Sequence, residues 1–134
     1  MADSAPTAAL AEAAETVRRQ LGVAAYDAAA VAELARFVAQ ERRELRPKTE
    51  SHQAVVTALG CFLGQCLVRT YGGEWAAGPD GTTGIGLAGR LFFNPFYLVE
   101  RHLNQGEEAS VAAFFQSVPA RLVAGRAPGE GRIA

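Results

Sequence analysis

Residues 58–68, ALGCFLGQCLV, form the most apolar stretch of the chain and carry two glycines and both cysteines. Val55, Leu59, Phe62, Leu63, Cys66, Leu67 and Val68 cover most of the circumference of a helix drawn through this region. A helix that is apolar nearly all round has to be buried, so the remaining elements must pack around this one. The pattern predicts a central helix over about 49–71, closed by Gly72-Gly73. Gly60 and Gly64 lie inside it, and each interior glycine costs about 1 kcal/mol against alanine. Two of them at a spacing of four predict that a neighbouring helix or the sheet approaches very closely there.

Other readings of the stretch fail on spacing. The apolar run over 54–68 is 15 residues and includes Gln65, short of the roughly 20 a membrane span needs. The small-xxx-small pattern of Gly60 and Gly64 therefore lacks the context in which it signals membrane association. Cys61 and Cys66 lie about 140° apart around a helix and about 7.5 Å apart along it. Side chains so placed do not form a disulfide. His52 stands about 13 Å along the helix from Cys61, too far to share an ion with bonds near 2 Å. The thiols are expected to be small core hydrophobes, and no metal is expected.

Around the central helix the sequence predicts an α+β domain: about five helices on one face of a three-stranded antiparallel meander. Leu10, Ala14, Val17 and Leu21 mark a helix over 7–21, and Val31, Leu34, Ala35 and Val38 a second one opened by Asp27. Residues 74–77, 83–88 and 91–93 are short, split by turn signals at Pro79-Asp80-Gly81 and Gly89-Arg90, and read as strands. Asn94-Pro95 starts a helix that ends at Gly106, with Phe96, Val99 and Leu103 inward. Glu107-Glu108 opens a fifth helix in which Pro119 should introduce a kink or a split. Residues 1–6 and 127–134 are read as disordered tails flanking a single domain over 7–126.

The charge balance gives no global attraction to nucleic acid or acidic membranes, with 13 Lys+Arg against 14 Asp+Glu and a net charge of −1. The basic cluster Arg42, Arg43, Arg46 and Lys48 is interleaved with Glu41, Glu44 and Glu50, as in a solvated helix end. The opening MADSAPTAALAEAAE has neither a basic n-region nor an apolar h-region. With only two cysteines, this points to a reducing, cytoplasmic setting.

Catalytic signals are weak. Gly84-x-Gly86-x-x-Gly89 has dinucleotide-fingerprint spacing but is followed by Leu91-Phe92-Phe93, a strand rather than a helix. His52 and His102 have no nucleophile or orienting acid in a neighbouring motif; both are expected at the surface or half-buried. The aromatic cluster Tyr71, Trp75, Phe92, Phe93, Phe96 and Tyr97 gathers at the helix–sheet junctions. Phe92 and Phe93 must face opposite sides of their strand, so one of them is either covered by other elements or offered to a partner.

Residues 59–115 resemble a group of uncharacterised small bacterial proteins of a domain-of-unknown-function family. The shared pattern is Leu59-Gly60, Leu63-Gly64, Leu67, Arg69, Gly72-Gly73 and Trp75, then Asn94-Pro95-Phe96, Val99, Leu103 and Gly106, then Phe114-Phe115. The resemblance implies a fold and no activity. The function expected is a non-catalytic cytoplasmic module that binds another protein, as an adaptor, immunity-type or chaperone-type protein. Self-association through a sheet edge is compatible with it. Its candidate binding residues are Trp75, Phe93, Tyr97, Arg101 and His102. The alternative is a small enzyme or ligand binder with a pocket at the sheet edge near Trp75, Arg101 and His102. Neither reading calls for a cofactor.

Overall fold

The structure, a computed structural model, describes residues 4–44, 49–78 and 81–124. It is the α+β domain expected. Five helices, α1 (Ser4–Leu21), α2 (Ala28–Glu44), α3 (Glu50–Tyr71), α4 (Pro95–Gln105) and α5 (Val111–Ala124), accompany strands β1 (Glu74–Ala77), β2 (Thr83–Leu87) and β3 (Leu91–Phe93). The sheet is an antiparallel meander in the order β1-β2-β3. The former tail residues 4–6 are helical. Pro6 is tolerated because first-turn amides have no intrahelical acceptor to lose. The expected 127–134 tail, Arg46, Lys48, Pro79 and Asp80 lie outside the described residues.

The central helix is where the sequence places it. Thr49 caps α3 by accepting the His52 amide, and Gly72 closes it in the left-handed conformation. Residues Leu59 to Leu67 are buried without interruption, under α1, α2, α4 and the first two strands. By length and composition α3 could cross a membrane, and 56% of its apolar window is buried under the other elements. The two glycines have distinct visitors. A Cβ on Gly60 would fall inside the ring of Phe96 from α4, and one on Gly64 inside the ring of Trp75 from β1. Helix and sheet therefore dock on the same stripped ridge, with the two rings 6.1 Å apart.

Register places Trp75, Ile85 and Phe93 opposite one another across the three strands. Partners directly opposite share a face, and Ile85 is fully buried, so this row faces the helices. Phe92 takes the other face, half-buried over Gly84 and Gly78, where a Cβ on Gly84 would meet its ring at 2.5 Å. Neither phenylalanine is exposed. β2 ends at Leu87, one residue before the predicted end, because Ala88 turns to φ 56° and Gly89 to φ 68°. The Arg90 amide donates to the Leu87 carbonyl and closes that turn.

Two helix boundaries differ from expectation. Glu107 and Glu108 belong to a separate 3-10 turn over Gly106–Ala109, and α5 begins after Ser110, whose hydroxyl accepts the Ala113 amide. A serine cap outcompetes the favourable but weaker placement of acids near the dipole. α5 is also not split at Pro119. Proline removes the amide that would bond the Phe115 carbonyl, and the Tyr71 hydroxyl of α3 donates to that carbonyl instead, at 2.8 Å.

The α1–α2 connection is pinned by charge. Glu15 accepts from Arg18 at 2.9 Å and from Tyr26 at 2.7 Å. These bonds, that to Arg18 first, hold its carboxyl down at about 2. Burial, and then the bond to Glu15, push the Tyr26 phenol up to about 12.

Gly64→Ala is expected to destabilise the protein by about 1–2 kcal/mol net, since overpacking costs more than the helix-propensity gain returns. Gly86→Ala, whose Cβ would meet only a carbonyl at 4.0 Å, is the neutral control, and urea unfolding of both variants decides. Tyr71→Phe should cost about 1 kcal/mol through the unsatisfied Phe115 carbonyl. In a Pro119→Ala background, where the amide returns, most of that cost should vanish from the double-mutant cycle.

Candidate functional site

α4 divides its residues between core and surface. Asn94 caps it by accepting the Tyr97 amide at 3.1 Å, and Pro95 occupies its first turn. Phe96 points to Gly60, and Val99 and Leu103 are buried as expected. Tyr97 is 55% exposed, one of the two exposed large hydrophobics among the described residues. One turn on, the Arg101 guanidinium stands 5.8 Å from the Tyr97 ring centroid, within cation–π reach.

α5 presents a matching face. Phe114, Ser117 and Arg121 follow each other at spacings of three and four, so they stack on one side. The Ser117 hydroxyl donates to the Phe114 carbonyl at 2.6 Å and accepts Arg121 Nε at 2.7 Å. The Arg121 guanidinium lies 5.1 Å over the Phe114 ring. That ring meets Phe93 edge-on at 4.9 Å. Between the two helices lies a groove of about 280 Å³. Leu98, Ala113 and Phe114 supply its apolar wall, and Arg101, Arg121, Ser110, Ser117 and Glu108 its polar one.

The five residues named from sequence are dispersed. Tyr97 and Arg101 come together at the groove. Phe93 reaches it only through Phe114. Trp75 is half-buried on Gly64, and its indole N–H donates to Gln65 Oε1 at 3.4 Å. His102 is completely buried. The groove that Arg101 lines has neither Trp75 nor His102 in its walls, so the pocket expected at the sheet edge from these three is not assembled. Phe114, Ser110, Ser117 and Arg121 were not singled out as site residues. Their helical spacing puts Phe114, Ser117 and Arg121 on one face, but only the packing of α5 beside α4 makes that face a wall.

Both histidines are buried rather than surface or half-buried. His52 is 3% exposed, with Nε2 3.9 Å from Glu100 of α4. His102 lies three residues after Val99, on the inward stripe, a spacing that could have revealed its burial. Its Nδ1 accepts the Val111 amide at 3.2 Å, so in the neutral ring the proton sits on Nε2. That atom is buried with no hydrogen-bond partner among the described residues. Glu107 Oε2 stands 3.7 Å away on a side chain that is 81% exposed. Burial holds the imidazole below its ordinary value, against the opposing pull of Glu107. A protonated Nδ1 could not accept the Val111 amide and would uncap α5.

Cys61 and Cys66 are buried free thiols, both pushed up by burial away from the reactive thiolate. Among the described residues no group of three or more His, Cys, Asp or Glu side chains could hold a metal ion. A wider depression of about 580 Å³ beside α1 and α3 has Leu10, Cys61 and Phe96 in its wall and no charged group. Comparison of the chain with protein-family models, curated proteins and solved structures returns no match in any of the three.

The neutral His102 contributes stability that is complete above about pH 6.5 and is lost as the pH falls toward the lower folded value, where the unfolded chain binds the proton first. The slope attributable to it is at most about 1.4 kcal/mol per pH unit. Urea unfolding across this range should show the fall in the native protein. In His102→Gln, which keeps an acceptor but does not titrate, the fall should flatten whatever the overall stability.

Proposed function

We propose that the chain is a non-catalytic, cytoplasmic protein-binding module, akin to the small bacterial proteins its pattern resembles. Its binding face is the α4–α5 rim around Tyr97 and Arg101. The observation that carries this reading is Tyr97, a large aromatic left 55% exposed beside a stacked guanidinium and a groove. Tyrosine and arginine are enriched among the residues that dominate binding energy at protein interfaces, and tyrosine buries a large area at little cost in side-chain freedom.

The groups on which a catalytic reading would draw support it less. His52, His102, Cys61 and Cys66 are each at most 3% exposed, and His102 already serves as a helix cap. A groove of about 280 Å³ also falls at the lower limit of the range typical of small-molecule sites, which favours side chains of a macromolecule over a whole cofactor.

Affinity capture from host lysate with the tagged full chain tests this. One stoichiometric protein partner is expected, weakened about tenfold or more by Tyr97→Ala and unaffected by Val123→Ala, a control at the 68% exposed residue of α5. A partner retained equally by both variants would remove this face from the interface.

A further inference from the structure

We propose that the α4–α5 groove recognises an acidic side chain of a partner polypeptide, whose carboxylate is taken between Arg101 and Arg121 while its aliphatic stem lies on Phe114 and Leu98. The inference rests on the protein-binding reading and names what that face selects.

Two cations share one small cavity, and neither makes an ion pair among the described residues. Arg101 contacts the Tyr97 ring. Arg121 gives its Nε to Ser117, and among the described residues its two terminal nitrogens, the bidentate end that matches a carboxylate, have no hydrogen-bond partner. In a chain whose net charge is −1, the positive charge of this groove is local. Each guanidinium is already placed, 5.8 Å from Tyr97 and 5.1 Å from Phe114, so little rotamer freedom remains to be lost when an anion arrives.

The rest of the wall agrees. Ser110 accepts the Ala113 amide, which leaves its own hydroxyl proton to donate. The N-terminal end of α5 adds the positive pole of its dipole. Glu108 is the single carboxylate in the wall. Two guanidiniums against one carboxylate leave a net positive groove. The apolar part suits a side chain with methylenes rather than a bare ion, and about 280 Å³ holds a side chain or two.

The experiment is a titration of the ¹⁵N-labelled full chain, followed by two-dimensional NMR. The probes are the blocked peptide Ala-Glu-Phe-Glu-Ala, its glutamine counterpart Ala-Gln-Phe-Gln-Ala, and inorganic phosphate. The acidic peptide is expected to shift the amides of Leu98, Ser110 and Ala113 saturably, and the glutamine peptide to bind about tenfold more weakly. Arg101→Gln and Arg121→Gln, each with an otherwise native spectrum, should weaken the acidic peptide about tenfold. Glu108→Gln should strengthen it, and added salt should weaken it.

Equal binding of the two peptides overturns the proposal, as does the absence of shifts at these residues. If phosphate saturates the same residues ahead of the peptide, the groove is a free-anion site and the proposal fails. Shifts that depend on protein concentration without peptide assign the groove to a second copy of the chain, and it fails again. Any of these with Tyr97-dependent partner capture intact refutes the charge selectivity alone. Peptide binding without such capture refutes the module reading and keeps the chemistry of the groove.

Discussion

Two aromatic rings seated on two glycines hold the architecture together. Gly60 and Gly64 lie about one turn, or 6 Å, apart on α3, and each gives up its side chain to a ring from a different element: Phe96 of α4 and Trp75 of β1. The glycines cost about 2 kcal/mol in helix propensity. Each glycine lets a half-buried aromatic ring pack on the helix backbone, and the burial of that ring offsets the propensity cost. Because the rings also touch each other, with centroids 6.1 Å apart, sheet and helix cannot be positioned independently. Fixing Phe96 inward fixes the rotation of α4 about its axis. That rotation turns Tyr97 and Arg101 outward and His102 into the core.

α5 depends on polar groups borrowed from other elements along its whole length. At its start the His102 imidazole of α4 accepts the Val111 amide. In its middle the Tyr71 hydroxyl of α3 donates to the carbonyl that Pro119 leaves unbonded. Near its end Arg90, from the turn between β2 and β3, donates to the Leu122 carbonyl at 2.6 Å. α2 is tied in similarly, with Arg42 reaching the Asn104 carbonyl at the C-terminal end of α4, where a cation is favoured by the dipole. These bonds are modest one by one. They leave α5 little freedom to shift along α4, which keeps Phe114 and Arg121 opposite Leu98 and Arg101.

Much of the fold is legible in the sequence because it follows from local rules. The all-round apolar pattern marks α3, Asp27 and Asn94-Pro95 mark helix starts, and Gly72 and Gly106 mark stops. Even the two visitors to the α3 glycines were anticipated as a helix or a sheet, although Phe96 and Trp75 could not be assigned to their places. Two of the misreadings share one cause: a partner from far along the chain decides the outcome. Pro119 fails to split α5 because Tyr71, 48 residues earlier in the numbering, supplies the missing bond. Trp75 reads as a candidate binding residue, and nothing local shows Gly64 beneath it. The groove is less legible still. Leu98 and Arg101 come from one helix, Ser110 through Arg121 from another, and no spacing along the sequence announces that the two sets face each other.

The groove's arginines illustrate how a small site can be selective without being deep. A free arginine side chain carries about 2 kcal/mol of rotamer entropy, enough to cancel much of what an exposed ion pair returns. Here Arg121 is held by Ser117 and laid over Phe114, which is itself wedged against Phe93 of the sheet. The order of that guanidinium is thus maintained by the same packed row, Trp75-Ile85-Phe93, that seats the sheet on α3. Arg101 is held only by Tyr97, on the exposed side of α4. Arg121, although exposed, is therefore held by two contacts, and the half-buried Arg101 by one. Both contacts hold a guanidinium in place before any carboxylate arrives, which lowers the entropy that an ion pair at this surface would otherwise cost.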